Sequence, residues 1–509
     1  MLTPAEQLGR DYQVVAFFGL QWGDEGKGRY VDLLVDEFDL FVRANGGNNA
    51  GHSFRDMIAH LVPTGVFSGK PGVIGPGVVV DPLSLVSELE ELKKRNIPWD
   101  QLYVSGDAAV VTPDRIFLDH MMEFLLGKDK IGTTGRGIGP TYGSYVERYA
   151  VRMNDLVNKD FFAENMRRNL GFVKRHFIEP YMADDDVKAE FHKIMHGKRM
   201  SDGIFYSETD FFDLDAIIDR YMSAAFVFSE NIRDTRLILD QAYTEGQRIV
   251  LEAGQGMLLS FVHGSYPDVT SSSMDPGWLA CGAGIPAGSI DKSYGIFRMP
   301  VMNRVGSGPF PTEFGGERSR EYCDDHSHSK ELEMKTYPDP VAMINGDDEL
   351  MKGIGYRIIS NNYGATTKRP RRTGWLDLVA LKHAIRVSIN RKKDAILATH
   401  IDDCDQADQV NVCTEYGYFG PERTYNGRTL KDGDIIKDFP TDARVLACCK
   451  PFYCPLKGWK ESTRGLRKSS DVPENLIVLS DRLESSTGAR IEAISVGPEP
   501  DELVYTGRQ

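Results

Sequence analysis

An α/β fold with a large central sheet, mixed but mostly parallel, and flanking helices is what this sequence predicts. Short strand-like runs alternate along the chain with amphipathic helical stretches, the order of a parallel sheet joined by crossovers. The first strand candidate also runs directly into a glycine-rich turn that opens a helix, the plan of a P-loop-like nucleotide site.

Residues 14–18, Val-Val-Ala-Phe-Phe, combine β-branched and aromatic side chains and read as a buried strand ending at Gly19. The glycine turn follows over 19–28, then a helical pattern over 29–36. Similar strand runs recur at 78–80, 249–251 and 395–399, separated by helical patterns such as 83–95 and 376–389. Residues 160–243 lack strand signals and are rich in helix formers, so they read as a helical excursion. Residues 315–362 are polar, charged and poor in periodicity, and read as a surface insertion between two core elements. No internal repeat or low-complexity linker interrupts the chain. The expected organisation is one domain over 1–509 carrying these two additions.

The composition of the 509 residues, 41% hydrophobic and 26% charged, is that of an ordinary globular protein able to bury a sizeable core. No apolar run reaches the ~18 residues of a membrane span, and residues 1–12 lack the basic-then-apolar plan of a secretory signal. No membrane partner is expected. Seven scattered cysteines, with no CxxC pair, read as reduced thiols and point to a reducing cytoplasm. Cys448, Cys449 and Cys454 lie closest together but lack the second ligand cluster of a zinc site. A net charge of −14 excludes an ordinary nucleic-acid binder. Anionic substrates could therefore bind only where local cations and backbone N–H groups outweigh the overall field.

The turn at 19–28 reads Gly-Leu-Gln-Trp-Gly-Asp-Glu-Gly-Lys-Gly. Glycines feeding a helix N-terminus present amides to phosphate, and Lys27 supplies positive charge. The match to G-x-x-x-x-G-K-[ST] is imperfect, because Gly28 stands where a metal-binding hydroxyl would be. Asp24 is then the available hard-oxygen ligand for Mg²⁺. A turn used only for tight strand–helix packing has a similar composition. A second glycine- and amide-rich loop, Arg-Ala-Asn-Gly-Gly-Asn-Asn-Ala-Gly-His, follows at 43–52. It sets His52 among small residues that permit close approach of a ligand.

The block Gln-Trp-Gly-Asp-Glu-Gly-Lys-Gly at 21–28, with Asn-Ala-Gly-His at 49–52, resembles the N-terminal signature of the adenylosuccinate synthetases. The likeness continues, in family order, through 131–140, 252–256, 266–272, 304–313, 364–367, 371–377 and 458–463. The resemblance implies a GTP-binding architecture, with GTP as co-substrate and Mg²⁺ as cofactor. The implied reaction joins L-aspartate to C6 of IMP through a 6-phosphoryl-IMP intermediate, giving adenylosuccinate, GDP and phosphate.

Residue by residue, the resemblance makes Asp24 the general base and a metal ligand, with the Gly51 carbonyl as a second ligand. His52 matches the donor to phosphate oxygens, and Gln255 a further residue of the catalytic set. Gly23, Glu25, Gly26, Lys27, Gly28, Arg371, His400, Asp402, Ser495 and Gly497 match GTP-binding positions, Asp402 being the guanine reader. Asn49, Thr134, Arg148, Gln255, Thr270, Val305 and Arg369 match IMP-binding positions. Arg148 is the arginine that the family sends into its neighbour's site, which implies a homodimer. Thr367, Arg369 and Arg371 match the aspartate loop, where guanidinium forks suit a dicarboxylate.

Several positions depart from the family pattern. Asn48 replaces a usual His, Lys368 a glycine, Pro370 a basic residue, His400 a Lys or Asn, and Val496 a threonine. These keep open a related activity that uses dGMP in place of IMP, although retention of Asp24 favours IMP. A catalytically dead scaffold is disfavoured by the presence of Asp24, Lys27, His52, Gln255 and Arg369. A P-loop GTPase switch is disfavoured by the missing hydroxyl after Lys27.

Overall fold

The computed structural model describes all residues except 1–3, 10, 55–56, 326, 365–367 and 507–509. The chain divides into two compact units. The first comprises 1–37, 255–276 and 290–509, and the second comprises 38–254 and 277–289.

In the first unit, Val14–Gly19 runs parallel to Lys292–Arg298, which runs parallel to Ala395–Thr399 and then Ile491–Ser495. The antiparallel strand Leu503–Tyr505 closes that edge. Every side chain of Val14–Gly19 is buried, so an unbroken apolar run at this position is a parallel core strand. Beside this sheet the unit carries another, in which Arg372–Asp377 pairs antiparallel with Val301–Arg304 and parallel with Gln409–Tyr418. In the second unit, residues 249–254 of the strand Ile249–Gly256, then Leu40–Arg43, Gly72–Ile74, Leu102–Ser105 and Ile232–Arg233 follow one another in parallel register. The mostly parallel α/β order expected from the sequence is the order found.

Two segments differ in detail from their sequence pattern. The short run Val79–Val80 pairs with Ala109–Val110 rather than with the parallel strands of its unit. It is followed by the helix Pro82–Lys94, which starts where Asp81 accepts the amides of Leu83 and Ser84 and proline occupies the first turn. The polar segment 315–362 is helical, in four pieces: Glu317–Asp324, Lys330–Thr336, Pro340–Ile344 and Glu349–Ile359. Ser329, Asp339 and Asp348 each cap one of these pieces. Pieces of five to eleven residues are too short for a hydrophobic period to show. The last one buries Ile354 and Tyr356, the latter stacked on Phe314 at 5.4 Å.

Candidate active site

In the first unit the glycine turn is organised around one carboxylate. Glu25 is fully buried, and its Oε1 accepts the amides of Gln21 (3.1 Å) and Gly23 (2.8 Å). Its Oε2 lies 2.9 Å from Lys27 Nζ, itself almost fully buried. Gly19 and Gly256 are required by this arrangement, since a Cβ at either would stand 2.1 Å from a Glu25 oxygen. The backbone turns with positive φ at Gly23, Asp24 and Gly26, and Gly26 precedes the helix Lys27–Leu33 without any side-chain cap. Thr399 Oγ1 donates to the Glu25 carbonyl at 2.9 Å, tying the turn to the end of Ala395–Thr399. Gln21 exchanges two hydrogen bonds with the backbone of Arg298, at 3.0 and 2.9 Å.

Asp24 behaves differently from its neighbour. It holds φ at 57°, in the left-handed region that non-glycine residues occupy at a cost. Its carboxylate is 36% exposed, with Oδ2 2.8 Å from Arg371 Nε. The Nε–H is not aimed along that line, so the contact is an ion pair rather than a formed hydrogen bond. Arg372, the next residue, is turned the other way and pairs with Glu313 at 2.9 Å. Val305 packs 3.1 Å from where a Gly23 Cβ would lie, and its amide donates to the Trp22 carbonyl at 3.1 Å. Thr270 donates its amide to Leu259, whose side chain also lies against Gly23.

After Thr399, His400 also adopts positive φ (61°) and starts the turn Ile401–Cys404. Asp402 Oδ2 lies 3.2 Å from both Nε and Nη2 of Arg464. Burial, and then the neighbouring charge of Asp403, raises the Asp402 pKa above that of an ordinary aspartate. Asp403 is 3.2 Å from Arg298 Nη2 and 3.2 Å from His400 Nδ1. Asp405 accepts from Trp459 Nε1 (3.0 Å) and from the Thr463 amide and hydroxyl (2.8 and 2.9 Å), which delivers the adjacent Arg464 to Asp402. Ser495 Oγ donates to the Gly497 carbonyl at 3.4 Å, and the same carbonyl accepts from Arg29. Val496 is fully buried.

In the second unit, the loop around Gly47 is equally tight. A Cβ on Gly47 would meet Val79 and Ile138 at under 3 Å. Asn48 is buried and donates to Asp81 and Ser84, both at 2.8 Å, so it braces the helix cap. His60 Nδ1 lies 2.7 Å from the Ala50 carbonyl, and burial lowers the pKa of its ring. Arg136 donates to the Asn48 carbonyl, joining the 131–140 loop to this one. The amides of Ile131, Gly132 and Thr133 converge on Glu123, at 3.1, 2.7 and 3.2 Å. Glu123 thus braces the start of this loop by taking three consecutive amides. Asn49 is partly buried, while Gly51, Thr134 and Arg148 are exposed, the last with φ at 70°. The side chain of His52, and Thr367 entirely, lie outside the described residues.

Sequence reasoning passed over Arg298, Asp403, Asp405, Arg464, His60 and Glu123. Each acts by bracing backbone or side chains around the candidate site, and none belongs to a motif readable in one line of sequence. No cluster of three His, Cys, Asp or Glu suited to a metal occurs among the described residues. Mg²⁺ usually takes one or two carboxylates and fills its octahedron with water and substrate phosphates. The half-exposed Asp24 carboxylate fits such a role. All seven cysteines are free thiols, and no described helix is long and apolar enough to cross a membrane.

A parallel sheet whose first strand ends in a glycine turn, with an inward lysine and a presented aspartate, defines a P-loop-like, nucleotide-dependent α/β enzyme. Comparison with known proteins makes this specific. The family model described as adenylosuccinate synthetase matches residues 16–504. The adenylosuccinate synthetase of Acetivibrio thermocellus is 34% identical over 493 residues, covering 96% of this chain and 98% of that one. That of Enterococcus faecalis is 33% identical, with 96% and 97% covered. The solved structure of fully ligated adenylosuccinate synthetase from Plasmodium falciparum is similar with a TM-score of 0.73 at 25% identity, over 97% of this chain and 99% of that one. The chain belongs to the adenylosuccinate synthetase family, and with it to the ligases that form a carbon–nitrogen bond.

Proposed function

We propose that this chain joins the amino group of L-aspartate to C6 of IMP while GTP becomes GDP and phosphate. The observation that carries the reading is the meeting of Asp24 and Arg371: a carboxylate held on the nucleotide turn by a left-handed backbone faces a guanidinium from the basic loop at 2.8 Å. In the first step Asp24 accepts the N1 proton of IMP, and O6 attacks the γ-phosphorus as the bond to the GDP oxygen breaks. In the second, the aspartate amine attacks C6, the C6–O6 bond breaks and phosphate leaves, while the amine loses its proton.

The remaining assignments follow from the family positions. Gly23, Gly26, Gly28 and Lys27 lie along the phosphates, with Glu25 supporting the turn from inside. Asp402 accepts from N1–H and the 2-amino group of guanine, beside His400, Ser495 and Gly497. Asn49, Thr134, Gln255, Thr270, Val305 and Arg369 surround IMP, and His52 donates to transferring phosphate oxygens. Thr367, Arg369 and Arg371 receive the aspartate carboxylates. Asp24 and the Gly51 carbonyl would hold Mg²⁺, which when bound supplies charge neutralisation for the phosphates. The free thiols suit a cytoplasmic enzyme.

The testing experiment is a substrate matrix: IMP, dIMP, GMP and dGMP crossed with GTP and ATP, each with aspartate, followed by succinyl-purine absorbance. Turnover with IMP and GTP is expected. Turnover with dGMP and none with IMP would overturn the assignment.

We also propose a homodimer in which the exposed Arg148 completes the partner's IMP site. Mixing Arg148→Ala with Asp24→Asn subunits should then restore part of the activity, because each mixed dimer holds one site with neither defect. Verified subunit exchange without recovered turnover would remove Arg148 from the site.

A further inference from the structure

The polar segment 315–362 contains a buried charged cluster that the proposed chemistry does not use. Glu333, on Lys330–Thr336, is fully buried, and Arg357, on Glu349–Ile359, is 1% exposed. Arg357 Nε lies 3.1 and 3.0 Å from the two Glu333 oxygens, and Nη2 lies 2.8 Å from Oε1. Removing two charges from water is costly, and such a pair is best repaid by orientation when its remaining donors and acceptors are used. Here Arg357 Nη1 donates to Cys323 Sγ at 3.6 Å, and two further bonds reach the basic loop. Tyr363 Oη donates to Glu333 Oε2 at 2.6 Å, and Arg357 Nη1 donates to the Arg371 carbonyl at 2.8 Å.

Tyr363 and Arg371 stand on the two legs of the basic loop. Tyr363 and Pro370 form an antiparallel bridge. The Gly364 amide donates to Arg369 (2.8 Å), and the Arg371 amide donates to Asn362 (3.2 Å). The ion pair therefore grips both legs at the base. One residue's guanidinium beyond that grip lies Asp24.

We propose that Glu333 is a positioning residue for the aspartate subsite: through Tyr363 and Arg357 it fixes residues 363–364 and 369–371, and so the placement of Arg369 and Arg371. This rests on the reading of those two arginines as the receptors of the aspartate carboxylates. An apolar filling of the same volume would leave the Tyr363 hydroxyl and the Arg371 carbonyl without fixed partners. The helical segment thus has a task in the reaction besides packing.

The test uses Glu333→Gln, which keeps size and loses charge, and Tyr363→Phe, which removes one hydroxyl. Arg369→Ala is the control. The KM of each substrate, kcat and the unfolding midpoint are measured on each full-length protein. Loss of hydrogen bonds to a buried charge should raise the aspartate KM roughly tenfold in Glu333→Gln and about threefold in Tyr363→Phe. The KM values for IMP and GTP, whose positions share Arg369 and Arg371, should rise clearly less than that for aspartate. A lowered midpoint with an unchanged aspartate KM in both variants would make the cluster purely structural and overturn the inference, as would a uniform loss in all three substrates. If Glu333→Gln fails to fold, Tyr363→Phe decides. An aspartate KM raised by Arg369→Ala but by neither of the other changes defeats the clamp alone. An Arg369→Ala enzyme with unaltered aspartate KM defeats the subsite reading, and the inference with it.

Discussion

The glycine turn at 19–28 and the basic loop at 363–372 carry the site's charges in opposite ways. In the turn, Glu25 finds Gln21, Gly23 and Lys27 within four residues of itself. In the loop, Arg371 is held through its carbonyl by Arg357, which depends in turn on Glu333, 38 positions before Arg371 in sequence. The first site closes on itself, while the second borrows its rigidity. The difference shows why a turn can be carried as a short motif, whereas a loop that must present guanidinium groups needs a built support.

Asp24 is where the two regions meet, and its loss should have the largest effect. Asp24→Asn should lower kcat by about 10²–10⁴, the usual worth of a general base, with circular dichroism and the unfolding midpoint close to the parent. A kcat within about tenfold would show that the base lies elsewhere and that the meeting is only electrostatic.

Glu25→Ala tests the self-contained region. It leaves Lys27 buried without a partner and two amides without an acceptor, so about 3–5 kcal/mol of stability should be lost. Urea unfolding measures this directly. A loss below about 1 kcal/mol, the scale of an exposed pair, would mean that the turn does not depend on its internal carboxylate.

The turn after Thr399 extends the comparison, because Asp402 also borrows a remote partner, Arg464. In the proposed reading its ionised form is the guanine acceptor, and burial raises the pH below which that form is lost. The GTP KM should therefore climb on mild acidification, at a pH where ordinary aspartates remain charged. Asp402→Asn should raise that KM about tenfold at neutral pH and flatten its acid limb. An identical acid limb in the variant would assign the titration to another group.

The smallest effect concerns Lys368. The structure gives this residue φ at 55°, a region that favours glycine. Lys368→Gly should relieve that conformation and stabilise the protein by roughly 1 kcal/mol, with kcat little changed. An unchanged or lower urea midpoint would show that the left-handed backbone here is not strained.

The sequence by itself determined the alternating α/β order and the turn after the first strand. Both depend on local periodicity and on short glycine-rich spacings, whereas the proposed site positions come from the family resemblance. Residues 14–19 illustrate the point: an apolar run with no alternation can only be buried on both faces. Tertiary structure alone decided which charges are spent inside and which are presented. Adjacent in sequence and alike in chemistry, Asp24 and Glu25 are separated by backbone torsion, one facing Arg371 and the other sealed beneath Gly19 and Gly256. It alone turned the unpatterned stretch 315–362 into helices that support the basic loop, because the partners involved, Glu333, Arg357, Tyr363 and Arg371, are joined by burial and hydrogen bonds across sequence distances that no local spacing encodes.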